Sequence, residues 1–256
     1  MLSTDEPSSE RSITDTPKKA RSAILRDRIL IACGPFVGCQ YLIFLTASHL
    51  FPPLKPTLTA IETAEHYRNN LAGTRAGVFL LIISSLIWPF WGLGINNQLR
   101  RIPNVNPHIL SIQIASGCAS GTLTIVLAVM FGATIYRLDR NPEITQALSD
   151  LSLLLYNMIN AAYVPQQVAI VLACLSDPRP KPLIPKWTSW LSLACMCVWI
   201  TAYAGHIAHS GPFAWDGAVA FWTVIAVYFI QCSLLLFHLM KVAGEIDEEV
   251  SGEKQA

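Results

Sequence analysis

Glu62, Glu65, Asp150 and Asp216 are carboxylates standing close to long apolar runs, and they are the side chains here best suited to acid–base chemistry. A carboxyl group half out of water holds its proton to higher pH, so it can serve as a general acid near neutrality. Aromatic residues gather near them. "GPFAWDGAVAFW" sets Phe213, Trp215, Phe221 and Trp222 around Asp216, and Tyr67, Tyr156, Tyr163 and Tyr203 are further candidates. An aromatic face attracts a cation, by roughly 1–2 kcal/mol per contact in a dry site. Acid, aromatics and an apolar surround are the equipment for acid-initiated cyclisation of a lipid-like polyene. Two plainer readings stand beside this one. The acids can sit in headgroup water, paired with Arg68, Arg137 and Arg140, and the aromatics can form an interfacial belt.

A second pattern runs through "QALSDLSLLLYNMINAAYVPQQ". Asp150, Asn157, Asn160 and Gln167 follow at intervals of seven, three and seven, with Gln146 four residues before. That spacing lines one helical face, which in a membrane points into the protein and not at lipid. Hydrogen bonding between helices, about 0.6–2 kcal/mol per contact, accounts for the amides equally well.

Composition dictates what must position these groups. Of 256 residues, 52% are hydrophobic and 14% charged, and the mean hydropathy is +0.43. Soluble domains carry about 25% charged residues, so the chain reads as a membrane protein. A net charge of +1 gives no case for nucleic acid. The seven cysteines lie in apolar runs without metal-ligand spacing and read as packing residues. The first apolar run is too far in and too long for a cleavable signal.

Six segments approach the ~20 residues that cross a bilayer: 29–51, 73–95, 109–136, 147–175, 188–206 and 218–240. Residues 56–73 read as an amphipathic helix at the interface. Thr59 and Glu62 have capping-box spacing, with Glu62, Glu65, His66 and Asn69 on the polar side and Leu58, Ile61 and Leu71 nearer the other. In the third span Gly117 and Gly121 form a GxxxG suited to close helix packing. The expected fold is all-α: a polytopic membrane bundle of about six transmembrane helices plus one interfacial helix, at 29–241. It lies between a disordered tail (1–28) and an acidic tail (242–256) that opens as a short helical extension. Lys and Arg gather in the first flank, the second-to-third and the fourth-to-fifth connections, which predicts both termini on the cytosolic side. The four carboxylates then share the opposite end.

No phosphate-binding loop, dinucleotide fingerprint, metalloprotease motif or acidic magnesium-diphosphate run is present. An enzyme built this way is expected to be cofactor-free and metal-free.

"EHYR" (65–68), "ITQALSD" (144–150), "LSDPRPKPLIPKW" (175–187) and "GPFAWDG" (211–217) carry a resemblance to a family of small multi-pass membrane proteins. With its Ser/Thr/Pro-rich, fungal-looking leader, the chain resembles the integral-membrane meroterpenoid cyclases of the ascochlorin and ascofuranone branches. The resemblance implies an endoplasmic-reticulum enzyme of secondary metabolism that protonates an epoxide on a farnesyl chain attached to an aromatic ring. Its partners would be a lipophilic substrate, membrane lipid and neighbouring pathway enzymes. That resemblance assigns no numbered positions. Placement alone makes Asp150 or Asp216 the proton donor and Glu62 or Glu65 its partner, with Tyr156, Asn157, Trp215 and Trp222 binding substrate. Two rival readings are a small-molecule transporter using the Asp150 stripe and a non-catalytic membrane scaffold.

Overall fold

The computed structural model describes the backbone of residues 15–252 and the side chains of 22–244. Eight α-helices follow in order: α1 (Asp15–Ala47), α2 (Ala60–Asn69), α3 (Leu71–Leu99), α4 (Pro107–Tyr136), α5 (Pro142–Met158), α6 (Asn160–Leu175), α7 (Lys186–Ile200) and α8 (Val224–Gly252). Among the described residues there is no strand. Six helical segments are long and apolar enough to cross a membrane, with α5 and α6 together making one of them. The chain is an all-α integral membrane bundle.

Helix α3 lies at the centre, packed along α1 on one side and α4 on the other. The GxxxG reading holds at Gly117: a Cβ there would come 2.9 Å from Gln166 Nε2 and 3.6 Å from Gly92 Cα. Absence of a side chain lets α3, α4 and α6 meet at that point.

Several boundaries differ from those expected. Helix α1 begins at Asp15, inside the stretch expected to be disordered; residues 1–14 lie outside the described residues. The acidic C-terminal segment does open as helix, since α8 continues to Gly252. The fourth span is not one helix. It loosens at Ile159, six residues before Pro165. Proline has no N–H for the preceding turn, and its ring crowds the carbonyl four residues back, so the break falls just N-terminal to it.

Helix α2 forms with the capping box its sequence announced: Thr59 N donates to Glu62 Oε2 (2.8 Å) and Glu62 N donates to Thr59 Oγ1 (3.3 Å). Its buried face is Thr63, Ala64 and Tyr67. Ile61, expected nearer that side, is 61% exposed. Small Thr63 and Ala64 let α2 settle on α5, where the Tyr67 and Ser149 hydroxyls meet at 2.9 Å.

The loop after α6, "SDPRPKPLIPKW", folds back on the bundle. Asp177 accepts hydrogen bonds from Arg179 Nε (2.8 Å) and Leu183 N (2.8 Å), and Leu183 and Ile184 enter the core beside Ile95 and Leu99. Burial opposes ionisation of Asp177, but the Arg179 side chain and the Leu183 and Arg179 N–H groups outweigh it and hold the carboxyl down at about 2. The same contacts raise the pKa of Arg179.

Candidate functional site

At mid-bundle the helices part around a cavity of about 130 Å³. Every helix except α2 contributes to its wall. Eight aromatic side chains line it, and five of them, from Tyr41 to Tyr228, are in ring contact. Tyr163 stacks on Trp199 (5.2 Å, 28°), Trp88 meets Tyr163 edge-on (5.8 Å, 82°), and Tyr41 and Tyr228 close the ring at 6.3 Å from Trp88 and 6.0 Å from Tyr163. A second lobe of about 160 Å³ lies between α1 and α8 and shares Gly38, Leu42, Trp88, Tyr228 and Phe229 with the first. Its rim residues Pro35, Cys39 and Phe229 are exposed on the outer surface of two lipid-crossing helices. The second lobe therefore opens on the outer surface of the bundle, between two helices long and apolar enough to cross a membrane.

The polar groups in the wall are few, and most are committed. Thr124 Oγ1 donates to the Ser120 carbonyl (2.9 Å), so the Tyr41 hydroxyl at 2.7 Å must donate to Thr124. Ser120 Oγ donates to Ser116 O (3.0 Å), Asn157 Nδ2 to Leu153 O (3.0 Å) and Asn160 Nδ2 to Trp199 O (3.3 Å). Tyr156 lines the cavity, and its hydroxyl has no hydrogen bond among the described residues. No carboxylate lines either lobe.

The eight residues singled out from sequence are thus split. Tyr156 and Asn157 are at the cavity; the other six are not. Glu62 is fully exposed, and the Thr59 backbone N–H, then its hydroxyl, hold the carboxyl below its ordinary range. Its carboxylate is committed to the capping box of α2, away from the cavity. Glu65 lies exposed on the outer face of α2. Asp150 is half-buried within electrostatic reach of His209 and Tyr67. It sits seven residues before Asn157, about 10 Å along the helix axis at 1.5 Å per residue. Asp216 is half-buried in the loop before α8. None of these four acids lines the cavity.

Trp215 is buried for a structural reason. Its Nε1 donates to Leu54 O (2.7 Å), tying the loop before α8 to the segment before α2. Trp222 is 44% exposed and packs on Phe51, while its neighbour Phe221 lines the cavity. The reason is the wide π-helical turn over Ala218–Thr223. Its period exceeds 3.6 residues, so it presents Phe221 inward where regular spacing gave no preference.

Tyr41, Trp88, Trp199 and Tyr228 were not singled out from sequence. Their signal was position: aromatic residues in mid-span, away from the interfaces where a belt belongs. No family model matches the chain, and neither a curated protein nor a solved structure does. Function must be argued from the cavity itself.

The amide stripe divides in the same way. Gln146 Nε2 donates to Leu58 O (2.8 Å), and Gln167 Oε1 accepts from Gln231 Nε2 on α8 (2.9 Å). These two are contacts between elements, as the structural reading had it. Asn157 and Asn160 line the cavity. At the outer face of α2, His66 Nε2 donates to Ser48 O (3.1 Å), and burial lowers its pKa, keeping the ring neutral for that bond. Among the described residues no three His, Cys, Asp or Glu side chains gather closely enough to hold a metal ion.

Proposed function

We propose that this membrane protein takes a lipophilic small molecule from the bilayer into the aromatic cavity and closes a ring on it through a cationic intermediate. The endoplasmic reticulum is the proposed membrane, with both termini cytosolic. The observation that carries the reading is a ring of tyrosine and tryptophan faces around an uncharged cavity, whose second lobe opens between two helices long and apolar enough to cross a membrane. Those faces are suited to a carbocation, which water would capture and a carboxylate would trap. Ring closure from an epoxide is an isomerisation. The epoxide C–O bond breaks as an alkene π bond attacks carbon, and the oxygen takes the proton of the Tyr156 hydroxyl, unpartnered among the described residues. The final cation returns a proton to the tyrosine oxygen, restoring the phenol.

The test uses the full chain in lipid nanodiscs with an epoxyfarnesyl phenol. A Cβ on Gly38 meets nothing within 4 Å, so Gly38→Phe puts a ring into the space shared by both lobes without touching backbone. Wild type should give a cyclic isomer of the substrate, and Gly38→Phe should lose at least about 90% of that rate while keeping its melting temperature. No product from wild type, or full activity in the variant, contradicts the reading.

One observation favours transport as a second reading. Gln166 Nε2 and Oε1, Gln167 Nε2 and Gln231 Oε1 are buried in the bundle without partners, although unmatched amides in hydrocarbon are costly. A polar path through them predicts gradient-driven flux of an unaltered solute from proteoliposomes, abolished by Gln166→Leu.

A further inference from the structure

The residues of the cavity wall have two polar atoms that no protein group uses and that are not sealed in the packing. The other hydroxyls and amide N–H groups have partners: Tyr41, Thr124 and Ser120 form a chain, Tyr163 and Tyr228 meet Cys232, and the Asn157 and Asn160 N–H groups donate to backbone carbonyls. Trp88 Nε1, Trp199 Nε1 and Asn160 Oδ1 also lack partners, but they are sealed within the packing. The exceptions are the Tyr156 hydroxyl and Asn157 Oδ1. Neither has a hydrogen bond among the described residues, neither is sealed in the packing, and both belong to residues lining the same cavity. They follow one another in sequence and offer opposite chemistry. The tyrosine can donate, and the amide oxygen, its own N–H turned back to Leu153, can only accept.

One donor and one acceptor, on consecutive residues that line the same largely apolar cavity, match a group that both accepts and donates. We infer that Tyr156 and Asn157 form the subsite for a ligand hydroxyl, which accepts from Tyr156 Oη–H and donates to Asn157 Oδ1. The ligand is then a lipophilic alcohol or phenol, with its hydroxyl at the α5 wall and its hydrocarbon among the rings of α3, α7 and α8. An ether or a hydrocarbon of the same length fills the space but leaves Asn157 Oδ1 unmatched, and an unmatched buried acceptor is penalised more than a made bond is rewarded. This assignment rests on the proposed function only in needing a lipophilic ligand in the cavity. It does not need the ring closure.

The experiment is a titration of the full chain in nanodiscs with farnesol and with farnesyl methyl ether, read by quenching of tryptophan fluorescence, since Trp88 and Trp199 stand in the wall. Farnesol should bind about tenfold more tightly than the ether, the worth of one buried hydrogen bond. Tyr156→Phe, which alters no packing volume, should weaken both ligands, because each has an oxygen that accepts. Asn157→Leu should weaken farnesol alone and so abolish the preference. Gly38→Phe should remove the binding of both. Equal affinity for alcohol and ether in wild type, affinities unchanged in Tyr156→Phe, or a preference that survives Asn157→Leu, overturns the hydroxyl subsite while binding lost in Gly38→Phe leaves the cavity reading intact. Binding of neither ligand, or binding indifferent to Gly38→Phe, overturns the cavity reading with it.

Discussion

The two ends of the bundle treat their carboxylates in opposite ways. At the arginine-rich end Asp27 is buried and accepts from Asn97 Nδ2 (3.1 Å), Gln98 Nε2 (3.1 Å) and Arg101 Nη2 (3.2 Å), and Asp177 is buried with its guanidinium and backbone partners. At the other end Glu65 is exposed, Glu62 is spent on a helix cap, and Asp150 and Asp216 remain half in contact with solvent. Where this molecule buries a carboxylate it surrounds it with donors, and where it does not, it leaves the group to water. The cavity between the ends has no carboxylate. Acids were the obvious place to look for chemistry, and the contrast sets fully partnered carboxylates at one end against largely solvent-facing ones at the other.

Breaking the matched end should have the largest effect. Arg179→Ala leaves Asp177 buried with backbone donors only, and should lower stability by about 2–3 kcal/mol, measured as the midpoint of thermal unfolding in detergent. Acid tests the same contact with a defined sign. The folded pKa of Asp177, about 2, lies below its ordinary value, so its contribution is complete above roughly pH 5 and is lost as pH falls toward 2. Wild type should lose stability over that window, and Arg179→Ala should lose less of it.

A smaller effect tests the unmatched end. Trp215→Phe keeps the ring but deletes the N–H donated to Leu54 O, and should cost about 1 kcal/mol in the same assay without changing farnesol affinity. The smallest effects are expected for the acids. Asp150→Asn, Asp216→Asn and Glu65→Gln should each shift stability by less than about 0.5 kcal/mol. They should also leave the ring-forming rate within about twofold, which is less than 0.5 kcal/mol in barrier. A collapse of activity in either aspartate variant would reinstate the carboxylates as proton donors and break the comparison.

Much of the frame was legible because it depends on local pattern. Long apolar runs fix the spans, Thr59 and Glu62 fix the start of α2, and Gly117 marks a close contact of α3, α4 and α6. The site was only half legible because it depends on long-range assembly. Tyr156 and Asn157 stood out as polar groups in a span, but the wall opposite them comes from Tyr41, Trp88, Trp199 and Tyr228, on four other helices. Nothing in a single segment announces that meeting. Two departures from the regular helical period also moved side chains: the break at Ile159 before Pro165, and the π-helical turn that presents Phe221 in place of Trp222. Apolar patterning read at 3.6 residues per turn does not see either one.

The most direct measurement is covalent mapping of where a lipophilic alcohol sits. A farnesol analogue with a diazirine near its hydroxyl, irradiated with the full chain in nanodiscs and followed by peptide mass spectrometry, should label the Tyr156–Tyr163 stretch of α5 and α6, with loss of that label in Gly38→Phe. Labelling confined to the loop carrying His209 and Asp216, or to α2 with its Glu62 and Glu65, with the cavity peptides unmarked, would contradict the account and return the chemistry to the acid-bearing end.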